Sequence, residues 1–475
     1  MGKTNFMSAP TSPASGKSKP RRPSLRKSRS KMTDADRIAL SQIVGSLLLY
    51  GTFGLLMFGP MAFGAVEPWS IFILEAGSTL LFLVWLTKQW LDRELVVRWN
   101  PLFVPMAAFG LLILVQIAFK FTAYRHDSMS GALLYCSYAM LCFLSGQALL
   151  RAVQARDLAV IFTVYGFGLA AFAVLYGISS NGKLYWFYPL SQGGWIYGPY
   201  VNHNHYAGLM ELLVPIPLVL ALTRLPEDKE RIAAGIAAAV MVGTIFLSGS
   251  RGGMLAIGFE LAVLSVILLG EKKRMRVVIG LVAFGLVLVG MLTWLGGKEL
   301  TARVSSISSE SRTEISGGMR SSIDRDALSM FRSKPVLGWG LGTFPTVYPQ
   351  FRSFYTNFFV NEAHNDYLQL LVETGILGFA TMIWFLVVLC RRAVPKIGGW
   401  MTDVNGAVTL ACMLGLSGIL VHSLVDFNLQ IPANAALFYV FCTIAAAQPL
   451  LQRSRRRKPA KPAGDEQLLP NSEVV

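Results

Sequence analysis

Residues 362–378 read EAHNDYLQLLVETGILG: a histidine, an asparagine and an aspartate stand directly before an apolar run that continues to about residue 390. A helix needs about 20 predominantly apolar residues to cross a bilayer. The stretch therefore reads as a membrane span with polar residues at its mouth, and the rest of the chain decides whether it is one span among many. The 475 residues are 53% hydrophobic and 15% charged, and the apolar residues lie in long blocks. A soluble chain of this length shows shorter, periodic apolar faces instead. Windows of about 19 residues place spans at 38–60, 69–88, 102–120, 130–150, 156–178, 204–223, 231–248, 252–270, 276–296, 366–390, 404–424 and 430–449. The expected fold is an all-α polytopic membrane protein of about twelve transmembrane helices.

The flanking charges orient it. Residues 1–36, with KSKPRRPSLRKSRSK, are rich in Ser, Pro and basic residues, and residues 451–475, with RSRRRKPAKPAGDEQ, are similar. Both tails are expected to be disordered. They read as topology determinants beside membrane lipid rather than as nucleic-acid arms, although the net charge of +16 alone would allow either. The first apolar run is full-length and lacks the small-residue cleavage site of a signal peptide, so it stays as a helix. Short cytoplasmic loops carry the excess of Lys and Arg. With both tails inside, the inner loops are KQWLDRELVVRW, RAVQARD, TRLPEDKER, EKKRMR and RRAVPK, each of which carries Lys or Arg. The membrane domain then runs over 37–450, and 297–365 is its one long outer loop. All five histidines, His126, His203, His205, His364 and His422, fall on the outer side.

A transporter places ionisable residues near the bilayer midplane between repeated halves. The spans read as lacking both features, so chemistry belongs at the outer surface. There, YVNHNHYAGLMELL puts Asn202, His203 and His205 at a helix start, where one Asn serves as a cap. The His203/His205 spacing and the missing carboxylate or Cys set argue against a metal. The five cysteines, Cys136, Cys142, Cys390, Cys412 and Cys442, lack C-x-x-C spacing and read as packing residues. In FLSGSRGGMLA, Arg251 stands in a short outer connection where a cation is disfavoured. It either snorkels to lipid phosphate or serves an anion, with Gly252 and Gly253 letting a phosphate approach a helix N-terminus.

The long loop carries GGMRSSIDRDALSMFRSKPVLGWGLGTFPTVYPQF, residues 317–351. Loops of this length are usually lids or binding elements. Residues 321–331 are expected as an amphipathic helix with Ile323, Leu328 and Phe331 on one face. Arg325 would point at a phosphorylated lipid, and Arg320 and Arg332 read as solvated. GWGLGTF lacks the lysine and the strand–turn–helix setting of a nucleotide loop. Its glycines read as a tight turn before Phe344, Tyr348, Phe351, Phe354 and Tyr355, an interfacial belt or sugar-stacking surface. At the opening stretch, Asn365 or Asp366 caps the helix, and the positive helix end favours the neutral, proton-accepting form of an imidazole, suited to a general base.

His364-Asn365, nine residues, then Gly375-x-x-Gly378 resembles the histidine motif of the bacterial O-antigen ligase and polymerase superfamily. The Arg of SGSRGG, the PVLGWGLGTF segment and VHSLVDFNLQIPANA resemble it in the same order, over roughly residues 200–440. The resemblance implies a GT-C-type inverting glycosyltransferase of the bacterial inner membrane, working at the periplasmic face without metal, nucleotide or other cofactor. Its donor would be a glycan on undecaprenyl pyrophosphate, and its acceptor lipid A-core, another lipid-linked glycan or a protein. By the same resemblance Arg251 and Arg325 hold the pyrophosphate and His364 deprotonates or orients the acceptor hydroxyl. Asp426 is a further candidate, or a structural partner of His422 or Asn428. Asn202, His203, His205, Asn365 and Asp366 complete the expected substrate-binding set. A lipid-linked-sugar flippase and a noncatalytic assembly subunit remain the competing classes.

Overall fold

The computed structural model describes residues 33–189, 195–269, 317–356 and 359–451. The expected span at 276–296, the first part of the long loop and nearly all of both tails lie outside these residues. Among the described residues there is no strand beyond isolated bridges, and nine segments are long and apolar enough to cross a membrane. The chain is an all-α multi-pass membrane protein.

Helices α1 (Asp34–Met61), α2 (Pro68–Asp92), α3 (Phe103–Ala118) and α4 (Arg125–Ala148) pack as one group, and α5 (Ala152–Ser179) leads to the other. Helices α6 (His203–Leu213), α7 (Pro215–Leu222), α8 (Asp228–Ser248) and α9 (Arg251–Leu269) follow. The last part holds α10 (Gly317–Ser333), α11 (Asp366–Ala393), α12 (Val404–His422) and α13 (Pro432–Ala446). The expected spans at 102–120 and 430–449 are helices of 16 and 15 residues, shorter than a straight crossing needs. Pro432 explains one shortfall: without an amide hydrogen it suits a helix start, and α13 begins there.

Two discontinuities shape the bundle. Helices α6 and α7 form one span interrupted at Val214, where Pro215 and Pro217 remove amide donors. Every residue of α6 is buried, because α8, α9, α12 and α13 all pack on it. Helix α11 is broken at Gly375, whose φ of 64° and ψ of −168° lie in a region only glycine adopts readily. The PVLGWGLG segment docks on this break. Trp339 and Gly340 donate backbone N–H groups to the carbonyls of Val372 and Glu373 at 2.9 and 2.8 Å, and Ile376 donates to Pro335 at 2.8 Å. A Cβ at Gly375 would strike the Val336 carbonyl. The GWGLG glycines thus serve backbone-to-backbone docking, and Glu373 closes the joint by accepting from Gly342 N–H (2.9 Å) and Phe344 N–H (3.2 Å).

The span helices are not free of buried ionisable residues, contrary to the sequence reading. Glu211 in α6 and Glu260 in α9 are 0% and 2% exposed. Glu260 lies nine residues into α9, about 13 Å along its axis at 1.5 Å per residue.

Candidate active site

Helix α10 sets the geometry. Its buried stripe is Ile323, Ala327 and Met330, packed on Phe344, Val347, Tyr348, Val360, Ala363 and Val372 in a small core separate from the bundle. Of the expected face of Ile323, Leu328 and Phe331, Ile323 is in this core and Phe331 packs against it partly buried, but Leu328 is corrected: five residues from Ile323, it sits about 140° around the helix, whereas i, i+4 and i+7 align. Asp326 fixes the stripe's orientation by accepting from Tyr348 Oη (3.1 Å) and Ser353 N–H (3.0 Å). Phe344 and Tyr348 are therefore core residues, not an aromatic belt. Tyr355 remains 85% exposed.

This rotation turns Arg320 inward and Arg325 outward. Arg320, expected in solvent, donates from Nη1 to the Val425 carbonyl at 3.0 Å and places Nη2 3.8 Å from Asp426 Oδ2. Arg325 is exposed, about 140° around the helix from Arg320, and is not brought to this cluster.

The turn after α12 carries Asp426, and Asp366 holds that turn. The Asp366 carboxylate accepts from Ser423 Oγ (2.7 Å), Leu429 N–H (3.1 Å) and Gln430 Nε2 (3.3 Å), while its own N–H donates to the Ser423 carbonyl (3.0 Å). Asp366 is thus engaged by the protein itself. Asn365 caps α11 as expected, accepting from the N–H groups of Tyr367 and Leu368 at 3.1 Å each. His364 lies just before the cap at a positive φ of 54°, an uncommon backbone state for a non-glycine residue. Its Nδ1 is 3.6 Å from Asp426 Oδ1, an ion-pair distance rather than a hydrogen bond. Phe427 stands edge-on between two imidazoles, 4.8 Å from His364 and 4.6 Å from His205.

Asp426 is 1% exposed. Burial works to raise its carboxyl, but His364, His205 and Arg320 outweigh it and hold the group well below the usual carboxylate range. Asp324, one helical turn beyond Arg320, goes the other way: burial raises it against the opposing pull of His364 and Arg320. The cluster is therefore a histidine backed by a firmly ionised aspartate, with an arginine on that aspartate's other oxygen.

The remaining candidates divide. Asn202 caps α6, accepting from Asn204 N–H at 2.8 Å. The His203 ring lies 4.5 Å from that of Trp195, tilted by 31°. His126 is largely exposed beside Asp127, away from the cluster. Arg251 is exposed at the start of α9, where Ser250 accepts from Gly253 N–H at 3.1 Å. The space a Cβ would need at Gly252 is filled by the His422 ring, and at Gly253 by Ala207 and Ile245, so these glycines serve helix packing. Asp426 meets His422 through the backbone, its N–H donating to the His422 carbonyl at 3.1 Å, while its carboxylate faces His364 and Arg320. His422 turns instead to Glu211, Nδ1 to Oε1 at 2.8 Å. Among the described residues, no three His, Cys, Asp or Glu side chains gather as metal ligands.

Residues 236–383 match the family model described as O-antigen ligase. The chain carries an O-antigen ligase domain. That domain supplies Arg251, Arg320, Arg325, His364, Asn365 and Asp366; His205, His422 and Asp426 lie outside the matched stretch and reach the cluster through the fold. A search of curated proteins finds no match. Arg320 and Asp324 were missed in the sequence although their i, i+4 spacing puts them on one helix face. Glu211 was missed although an acid inside an apolar span marks a functional residue by default.

Proposed function

We propose that the protein transfers a glycan from undecaprenyl pyrophosphate to an acceptor hydroxyl at the periplasmic face of the bacterial inner membrane, as an O-antigen ligase or a surface-polysaccharide polymerase. The observation that carries this reading is that His364 and Arg320 of the O-antigen ligase domain meet at Asp426. With Nδ1 turned to Asp426, the other ring nitrogen, Nε2, serves the acceptor. It takes the hydroxyl proton as the oxygen attacks the anomeric carbon from the face opposite the leaving group. The bond from that carbon to the pyrophosphate oxygen breaks with inversion, and its electron pair leaves on undecaprenyl pyrophosphate. Asp426 balances the imidazolium charge, worth about 10²–10⁴ in rate together with the base itself.

The leaving group gathers negative charge as the bond breaks, and arginines suit it because the guanidinium fork matches phosphate oxygens. Arg320 is the arginine at the cluster. Arg251 and Arg325, both exposed, are available to the phosphates of a lipid-linked donor. The acceptor is lipid A-core or a second glycan. Glu211 and Glu260 favour a second reading, a lipid-linked-sugar transporter, because it needs ionisable groups inside the membrane.

Purified protein in lipid, given a lipid-pyrophosphate-linked oligosaccharide, tests both. Release of undecaprenyl pyrophosphate that requires lipid A-core identifies a ligase. Core-independent release with lengthening glycans identifies a polymerase. Translocation of the donor between leaflets without release identifies the transporter and overturns the transferase reading.

A further inference from the structure

The transfer scheme makes no use of the Glu211–His422 pair, yet the pair is buried inside the bundle, with side chains 0% and 1% exposed. A buried polar pair, charged or neutral, is seldom a net gain over apolar packing, so stability alone does not account for it. What it secures is the place where α12 ends. His422 is the last residue of α12, and its carbonyl accepts from the N–H groups of Val425 and Asp426 at 3.0 and 3.1 Å. The imidazole held by Glu211 and the turn carrying Asp426 therefore leave the same residue.

Other elements converge on that residue. Glu211 comes from α6, the helix that also sets His205 against Phe427. Gly252 of α9 lies against the His422 ring, and its open side also meets Val425. Val425 in turn gives its carbonyl to Arg320 of α10. A shift of the backbone at His422, which the held ring resists, would carry Val425 and Asp426 with it and change both the His364 and the Arg320 distances.

We propose that Glu211 and His422 are positioning residues: their hydrogen bond locks the end of α12 so that Asp426 stays against His364 and Arg320. The proposal rests on the reading of that cluster as the reacting centre. The experiment measures kcat and donor KM for wild type, Glu211→Ala, Glu211→Gln and His364→Ala in lipid nanodiscs, with a lipid-pyrophosphate-linked oligosaccharide as donor. Rates are normalised to folded protein by size-exclusion chromatography.

Misplacement by about 1 Å costs up to about 100-fold, so Glu211→Ala lowers kcat at least about tenfold with donor KM little changed. Glu211→Gln, which keeps an oxygen acceptor at the same reach, restores most of that loss. Unchanged kcat in folded Glu211→Ala overturns the positioning role if His364→Ala is inactive. An active His364→Ala overturns the reading of the reacting centre itself. Where Glu211→Ala does not fold, His422→Gln is measured by the same criteria: a tenfold fall in kcat at constant KM supports the role, and an unchanged kcat overturns it.

Discussion

Replacing His364 by alanine leaves Asp426 facing Arg320 with no group to take a proton. Transfer falls at least about 100-fold, measured as undecaprenyl pyrophosphate release, while the protein folds normally because Asn365 still caps α11. Arg320 and Arg325 give a sharper contrast. Arg320→Ala is expected to cut transfer more than about tenfold and Arg320→Lys to rescue little, since lysine lacks the bidentate fork. Arg325→Ala stays within about threefold, as for an exposed charge outside the cluster. Asp426 makes a pH prediction. Its folded-state carboxyl lies below the unfolded value of about 3.9, so its stabilisation is fully present above that value and is lost only as pH falls through the folded one. The melting-temperature gap between wild type and Asp426→Asn should be constant from about pH 5 upward and close in stronger acid. A gap that widens toward acid would contradict the assigned partners.

At the scale of elements, the break in α11 and the segment docked on it act as one joint. Gly375→Ala forces a side chain into a glycine-only backbone region and against the Val336 carbonyl. The cost is about 1–3 kcal/mol of strain, with further loss if the 335–342 segment lifts away. The expected result is a lower melting temperature and loss of transfer together, because the same joint supports Ala363 and so His364. The periodicity of 321–331 was legible as a helix, and its rotation was not. Which stripe is buried depended on Phe344, Tyr348 and Val360, residues up to 37 positions away, and that choice decided which arginine faces Asp426.

For the whole molecule, the basic loops predict that α10 and the 335–356 segment lie outside the cytoplasm and that the α7–α8 connection lies inside. Tyr355, 85% exposed, and Asp228, its side chain 92% exposed, give the two reporters. In a cysteine-free background, Tyr355→Cys in intact inner-membrane vesicles of native orientation should react with an impermeant maleimide and Asp228→Cys should not. The reverse labelling would invert the topology and place the cluster where nucleotide donors are available.

The sequence by itself determined that the chain is a multi-pass helical membrane protein, because apolar run length is a local property and a bilayer demands it. It also supplied His364 with its Asn365 cap and the O-antigen ligase motif, since each is written in consecutive residues. The partners of His364 were decided by tertiary structure alone. Asp426, Arg320 and His205 lie 62, 44 and 159 positions away in the chain. Their meeting depends on the break at Gly375, the rotation of α10 and the end of α12, where packing contacts between distant residues choose among orientations that local periodicity leaves equivalent.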